Sequence, residues 1–298
     1  MFSVLIASWN NLDYLKLCIE SVRKHSRHDH EILVHVNDGS DGTLDWVRAQ
    51  GIRHSHSRAN VGVCLAFNEL AARAKGDWLI CLNDDMVCCP GWDSAYADAI
   101  RSAPVNLAVF SSTMIEPRDT GNPLVIVGDY GRTPAAFDER KLLDSYLATT
   151  REDVIGQASQ PTVIHRKWWL LVGGYSIEFG PGMSSDNDLW MKLWVVGCRH
   201  YRVLGASRIY HFSQVSTGRV RRNRGGRTFV MKWGITQKEF DGLLLQTAQT
   251  AAPKGLSLPR ATTKGRMKRI GYALADYPLG DLDAWDPAPG RHIVVSDD

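Results

Sequence analysis

A chain of 298 residues, 44% hydrophobic and with a formal net charge of +3, can bury a large core and lacks the overall charge excess of a general polyanion binder. No apolar run approaches bilayer length, and Met1-Phe2-Ser3-Val4-Leu5-Ile6-Ala7 has neither the basic lead nor the cleavage pattern of a signal peptide, so a cytoplasmic protein is expected. The six cysteines show no CxxC spacing, which argues against a zinc site or a disulfide framework and leaves them as small core hydrophobes.

The chain opens with a continuous apolar run over residues 2–8, the pattern of a parallel strand covered on both faces, which stops at Trp9-Asn10-Asn11. Asn10 or Asn11 can cap the helix that follows, where Leu12, Leu15, Ile19 and Val22 recur at helical spacing and basic residues fill the last turn. Residues 31–36 form a second strand that runs into Asn37-Asp38-Gly39-Ser40-Asp41-Gly42-Thr43, a turn rich in glycine and side-chain oxygens. A third strand near residues 52–55 leads to Asn60-Val61-Gly62, which opens another helix ending at Lys75-Gly76.

The next strand, Trp78-Leu79-Ile80-Cys81-Leu82-Asn83-Asp84-Asp85-Met86, carries two adjacent carboxylates to its C-terminal edge, the edge where open α/β sheets bind ligands. Such a pair is costly without a positive partner, and a hard divalent cation that also holds a phosphorylated ligand is one solution; a plain turn before Pro90-Gly91 is the other. Strands and helices alternate through this region as in a doubly wound nucleotide-binding half, yet neither GxGxxG nor GxxxxGK[ST] is present. Phosphate must be held by other means.

Beyond a helix over residues 93–101 and a strand over 107–111, glycine and proline break the pattern, and the stretch to about residue 160 reads as loops and short strands. Residues 161–166 form a strand, followed by a Trp168-Trp169 helix and Gly173-Gly174-Tyr175. Gly180-Pro181-Gly182 then approaches a helix whose first turn carries Asp186 and Asp188, where backbone N–H groups favour negative charge. Two short strands, 201–204 and 207–210, end at His211, a residue type that serves both structure and metal binding. The segment 216–227 carries Arg219, Arg221, Arg222, Arg224 and Arg227, whose guanidinium forks suit phosphate oxygens. Residues 229–240 look helical, and past Ala252 a loosely packed tail is expected.

Taken in order, Ser8-Trp9-Asn10, the Asn37 to Thr43 turn, Asn60-Val61-Gly62, Asn83-Asp84-Asp85, Gly173-Gly174-Tyr175 and Ser185-Asp186-Asn187-Asp188-Leu189 resemble the family 2 glycosyltransferases of the GT-A fold. The likeness covers about residues 2–212 and implies an α/β, Rossmann-like, mostly parallel central sheet flanked by helices, with an irregular C-terminal extension. It divides the chain into a transferase domain over residues 1–215, with nucleotide-sugar (1–110) and acceptor (111–215) halves, and an extension over 216–298.

By that resemblance Ala7, Ser8, Asn10, Asp38, Asn60, Gly62, Asn83 and Asp84 surround a nucleotide-diphosphate sugar of the UDP, GDP or dTDP type, with Arg219 and Arg222 on its phosphates. Asp85 and His211 match the ligands of a divalent cation, Mn2+ or Mg2+; Asp186 matches the base of an inverting single displacement; Asp188 and Trp190 would face the acceptor. Two positions depart from the family pattern: Asn83 replaces the usual first aspartate of the DxD triplet, and Ser185 replaces the glutamate that precedes the base. The implied partners are the nucleotide sugar and a glycan or lipid-linked acceptor, with peripheral membrane contact, no nucleic acid, and a role in surface polysaccharide assembly. A nucleotidyltransferase, a silent sugar-nucleotide binder and an arginine-driven nucleic-acid module are the rival readings.

Overall fold

The computed structural model describes residues 2–157, 160–213, 219, 223–250 and 260–275; Arg221, Arg222 and the tail stretches 251–259 and 276–298 lie outside the described residues. The first half alternates as its hydrophobic pattern requires: β1 (Phe2–Trp9), α1 (Leu12–His25), β2 (Glu31–Asn37), α2 (Thr43–Ala49), β3 (Arg53–Ser57), α3 (Gly62–Arg73) and β4 (Trp78–Asn83). These four strands pair in parallel in the order β3-β2-β1-β4. In β1, Val4 and Ile6 pack with Leu15 and Ile19 of α1, while Leu5 packs with Phe67 and Leu70 of α3, so successive side chains feed two core layers on opposite faces.

The second half extends the same sheet. It comprises β5 (Met86–Cys88), α4 (Trp92–Ser102), β6 (Ala108–Glu116), β7 (Val125–Val127), α5 (Glu139–Ser145), β8 (Val154–Ile155), β9 (Thr162–His165), α6 (Arg166–Leu171), α7 (Ser185–Val195) and β10 (His200–His211). β9 inserts antiparallel between β4 and β6, and β10 pairs parallel with β6 and antiparallel with β5. The first and second halves of the chain therefore share one continuous sheet.

Where two short strands were expected over 201–210, there is one, β10, whose register on β6 slips between Leu204 and Arg208. Gly205 explains the slip: a Cβ there would meet the backbone carbonyl of Arg151, and the irregularity passes the chain around it. Resuming the pairing carries β10 on to set His211 opposite Met86, beside the acidic turn.

The C-terminal extension differs from its sequence reading. The helix expected over 229–240 breaks at Gly234, giving α8 (Gly225–Trp233) and a short α9 (Gln237–Glu239) that continues as a π-turn over Phe240–Leu245. The tail expected to be loose contains a capped helix, α10 (Thr263–Leu274), packed on α8. The Thr262 hydroxyl accepts from the Gly265 amide at its N-terminus, and Arg269 donates to the carbonyls of Val230 (3.0 Å) and Lys232 (2.8 Å). Its small, basic and weakly apolar composition hid this helix, because its packing rests on Gly265 and on arginine-to-carbonyl bonds instead of a hydrophobic stripe.

Candidate active site

The C-terminal ends of β1, β2 and β4 converge, and short polar loops knit them together. Asn10, in the left-handed region at φ 46°, donates from its amide to Asp38 Oδ2 (3.0 Å) and Ser40 Oγ (3.2 Å) and accepts from the Gly39 amide (2.9 Å). Asp41 accepts from the amides of Leu12 and Thr43, so the β2 loop caps α1 from outside. Asn11 holds the N-cap position without using its side chain as a cap. That side chain instead donates to Asp84 Oδ1 (3.3 Å) and accepts from Arg219 (3.0 Å).

Asp84 and Asp85 occupy the tight turn between β4 and β5, 4% and 5% exposed. Burial, reinforced by neighbouring Asp85, pushes the Asp84 carboxyl well above the usual range, and Ser8, Asn11 and Arg219 pull it only partly back. Its Oδ2 is buried with no hydrogen-bond partner among the described residues. Asp85 Oδ1 lies 3.3 Å from His211 Nε2, and Glu116, at the end of β6, holds His211 Nδ1 at 2.8 Å. Burial disfavours the imidazolium, but the two carboxylates outweigh it and raise His211 to about 10.

This donor set suits a divalent cation: two carboxylates in sequence, one of them with an unsatisfied oxygen, and an imidazole oriented from behind by a third carboxylate. Among the described residues, no three His, Cys, Asp or Glu side chains form a complete cage, so the protein would supply only part of a shell.

Across the edge, Asn60 Oδ1 accepts from the Gly62 amide at the start of α3, and the Val63 amide donates to the Pro181 carbonyl. Gly62 has φ +75°, and a Cβ on it would lie 2.7 Å from Pro181 Cα. This close approach ties the donor half to the Gly180-Pro181-Gly182 loop leading into α7. Asp186, in the first turn of α7, is partly exposed and accepts from Tyr175 at 2.6 Å. Gln160 Nε2 donates to the same tyrosine oxygen (2.8 Å), which leaves the phenolic proton for Asp186. Burial raises Asp186 to about 7, and the tyrosine bond only partly offsets it. Its charge also acts on the Cys81 thiol of β4, so Asp186 stands over the strand that ends in the acidic turn.

Ala7, Ser8, Asn10, Asp38, Asn60, Gly62, Asn83, Asp84, Asp85 and His211 thus gather at one sheet edge, and Asp186 lies on the adjoining α7, near enough to Cys81 of β4 for its charge to act there. Arg219 joins them, its guanidinium 4.8 Å from the Trp9 ring centre and bonded to the carbonyls of Trp9 and Asn10; Arg222 lies outside the described residues. Asp188 and Trp190 do not fit the acceptor role expected for them. Both are fully buried: Asp188 binds Ser176 (2.6 Å), Trp233 (2.8 Å) and Lys232 (2.9 Å), and Trp190 packs edge-on against Tyr201. The acceptor assignment is therefore corrected to a packing role, in which Asp188 anchors α8 to α7.

Sequence reasoning missed Asn11, Glu116 and the second role of Tyr175. The Asn10-Asn11 pair was a usable signal. Glu116 gave none, since its strand was expected to end five residues earlier.

With this geometry in place, comparison with known proteins is informative. The profile described as "Glycosyl transferase family 2" matches residues 3–157, more than half of the 298-residue chain. No curated protein matches the sequence. Among solved structures, GalNAc-T7 with UDP, GalNAc and Mn2+ superposes with a TM-score of 0.59 at 17% identity, covering 94% of this chain and 58% of that one. S. aureus TarS 1-349 gives 0.57 at 14% identity, covering 95% and 80%, and its UDP-GlcNAc complex gives 0.58 at 12% identity, covering 96% and 81%. Against the S. aureus TarS chain first matched, this chain spans 36% of the length, at a TM-score of 0.50 and 14% identity. At such identities the likeness speaks for the GT-A fold. The profile match, on a chain whose sheet order and loops accord with it, establishes that this chain belongs to glycosyl transferase family 2.

Proposed function

We propose that the protein transfers a sugar from a nucleotide-diphosphate donor, of the UDP type, to a hydroxyl of a glycan or lipid-linked acceptor, with inversion at the anomeric carbon and a requirement for Mn2+ or Mg2+. The observation that carries this reading is the pairing of an under-compensated acidic turn at the sheet edge with a carboxylate of raised proton affinity on the adjoining α7. The UDP and Mn2+ bound by GalNAc-T7, and the UDP-GlcNAc bound by TarS, support the choice of donor and ion.

In this mechanism Asp38 and Asn10 hold the nucleoside end of the donor, and Arg219 lies over its diphosphate. Asp85 and His211 would hold the cation, whose charge would offset that developing on the leaving diphosphate. Glu116 fixes the imidazole that faces it. Asp186 removes the acceptor hydroxyl proton onto its free oxygen as that hydroxyl attacks the anomeric carbon and the bond to the diphosphate breaks. A carboxylate raised to about 7 is matched to this task near neutral pH. Asn83, in place of a third acid, lowers the negative charge that the cation must balance.

The direct test is product formation from UDP-, GDP- and dTDP-sugars with Mn2+, Mg2+ or a chelator. The expected result is turnover of a UDP-sugar that the chelator abolishes and either ion restores; turnover unaffected by chelation contradicts the metal assignment, and no turnover of any UDP-sugar contradicts the donor.

A further inference from the structure

α10 has three faces of different chemistry. At about 100° per residue, Gly265, Arg269 and Tyr272 fall together on the side packed against α8 and Gly234. Met267, Ile270 and Leu274 fall within roughly 60° of arc on the opposite side. They are 70%, 61% and 83% exposed, among the most exposed large apolar side chains described. Lys264 flanks that stripe on one side and Arg266 on the other, Lys268 stands between Lys264 and the packed face, and the twelve residues Thr263–Leu274 contain no acidic side chain. Lys268 also lines a cavity of about 510 Å³ together with Arg224, Arg227 and Lys238, again with no acid in its lining.

We infer that α10 is an interfacial helix that docks the protein on an anionic lipid surface, its apolar stripe entering the headgroup boundary and its basic flanks pairing with lipid phosphates. Charge complementarity selects this occupant. A second copy would bring Lys264, Arg266 and Lys268 against their own equivalents, whereas an anionic leaflet meets all three with opposite charge. A single short helix gives only a shallow, reversible attachment, and among the described residues no helix is long and apolar enough to cross a membrane.

The attachment has a rigid path to the chemistry. Arg269 binds the carbonyl of Lys232, the Lys232 ammonium lies 2.9 Å from Asp188, and Asp188 lies two residues after Asp186 on α7. Gln237, at the start of α9, reinforces this by donating to Asn187 at 2.7 Å. Resting on the proposed transferase reading, docking would hold the Asp186 side of the cleft at a fixed height above the lipid, which favours a lipid-linked acceptor over a free glycan. The docking itself does not depend on that reading.

The test is flotation of the full chain with vesicles of phosphatidylcholine alone or mixed with phosphatidylglycerol, without sugar nucleotide. Binding is expected only to the phosphatidylglycerol vesicles, to weaken steeply with salt, and to fall about tenfold in the Met267→Gln/Ile270→Gln/Leu274→Gln variant and in Lys264→Glu/Lys268→Glu. Because all five side chains point to solvent, an unchanged melting temperature verifies folding of the variants. Equal flotation of variants and wild type overturns the inference, as does no flotation of the wild type. It is likewise overturned if the triple variant converts a dimer to a monomer, or if only a chain ending at Ala275 floats, since a second copy or residues 276–298 would then own the face. Failure here leaves sugar transfer in solution unaffected, whereas failure of the transferase reading leaves flotation intact.

Discussion

Two of the molecule's pairs of neighbouring carboxylates, Asp84 with Asp85 and Asp186 with Asp188, are treated oppositely. In Asp84-Asp85 the pair lies in one turn, both members are buried, and the available compensation comes from Asn11 and, two hundred residues on, from His211 and Arg219, leaving Asp84 Oδ2 without a partner among the described residues. In Asp186 and Asp188 the two members are separated by helical geometry. Asp188 turns into the core and is bonded by Ser176, Trp233 and Lys232, while Asp186 stays half-buried and accepts from Tyr175. In the proposed mechanism the working groups are those whose compensation is incomplete: the turn, which would take a cation, and Asp186, which would take a proton. Asp188 is the control, a buried acid whose charge is fully answered and whose work is structural.

The largest expected effect concerns that structural acid. Asp188→Ala removes the partner of Trp233 and one of the two carboxylates on Lys232, leaving it Glu178, and should cost about 3 kcal/mol of stability, measured by denaturant unfolding. A loss within experimental error of zero would mean that α8 does not depend on this bond.

Next is Asp85→Ala, which should reduce Mn2+-dependent affinity for UDP by roughly a hundredfold in calorimetry while leaving the metal-free affinity nearly unchanged. Equal losses with and without Mn2+ would place Asp85 on the nucleotide instead.

A third effect follows from linkage. The Asp186 pKa is raised from 3.8 to about 7 on folding, so the fold favours its neutral form. That contribution is complete below about pH 4 and is lost as pH climbs through about 7. Asp186→Asn should therefore be the more stable protein at pH 8, by on the order of 2 kcal/mol after allowing for the partial exposure of the site, and indistinguishable from wild type near pH 4. A stability difference independent of pH would remove the raised carboxyl from the account.

Smallest is Tyr175→Phe. Loss of the phenolic bond removes what holds Asp186 down, so the acidic limb of the rate profile should move about one unit toward alkaline pH, with the plateau rate largely retained. A fall in the plateau with no movement of the limb would assign Tyr175 to packing.

How much of this was legible in the sequence follows the same division. β1 to β4 and their loops were readable because each strand is a short apolar run and each loop announces itself with Asn, Asp and Gly at its end. The gathering of Asn10, Asp38 and Asp85 at one edge is then a consequence of parallel order. Glu116 was not readable, since it contributes through the full length of β6, a strand whose polar centre at Ser111, Ser112 and Thr113 hides its continuation. Ser112 and Thr113 are buried but satisfied by Tyr96, Ser207 and the Leu204 carbonyl, partners that no local pattern encodes. Asp188 and Trp190 were misread because a helix start rich in acids looks alike whether an acid faces solvent or an ammonium from another helix. α10 escaped notice for the complementary reason: its outward face is apolar and its inward face is glycine and arginine, the inverse of the usual pattern.

The central claim is that nucleotide capture and proton removal are separate tasks assigned to the acidic turn and to Asp186. It is tested most directly by measuring UDP affinity in the presence of Mn2+ and sugar transfer in the same Asp186→Asn preparation. Affinity within twofold of wild type together with a loss of turnover of at least about a thousandfold is the expected result, because only a proton acceptor has been removed. Turnover within tenfold of wild type, with affinity unchanged, would contradict it.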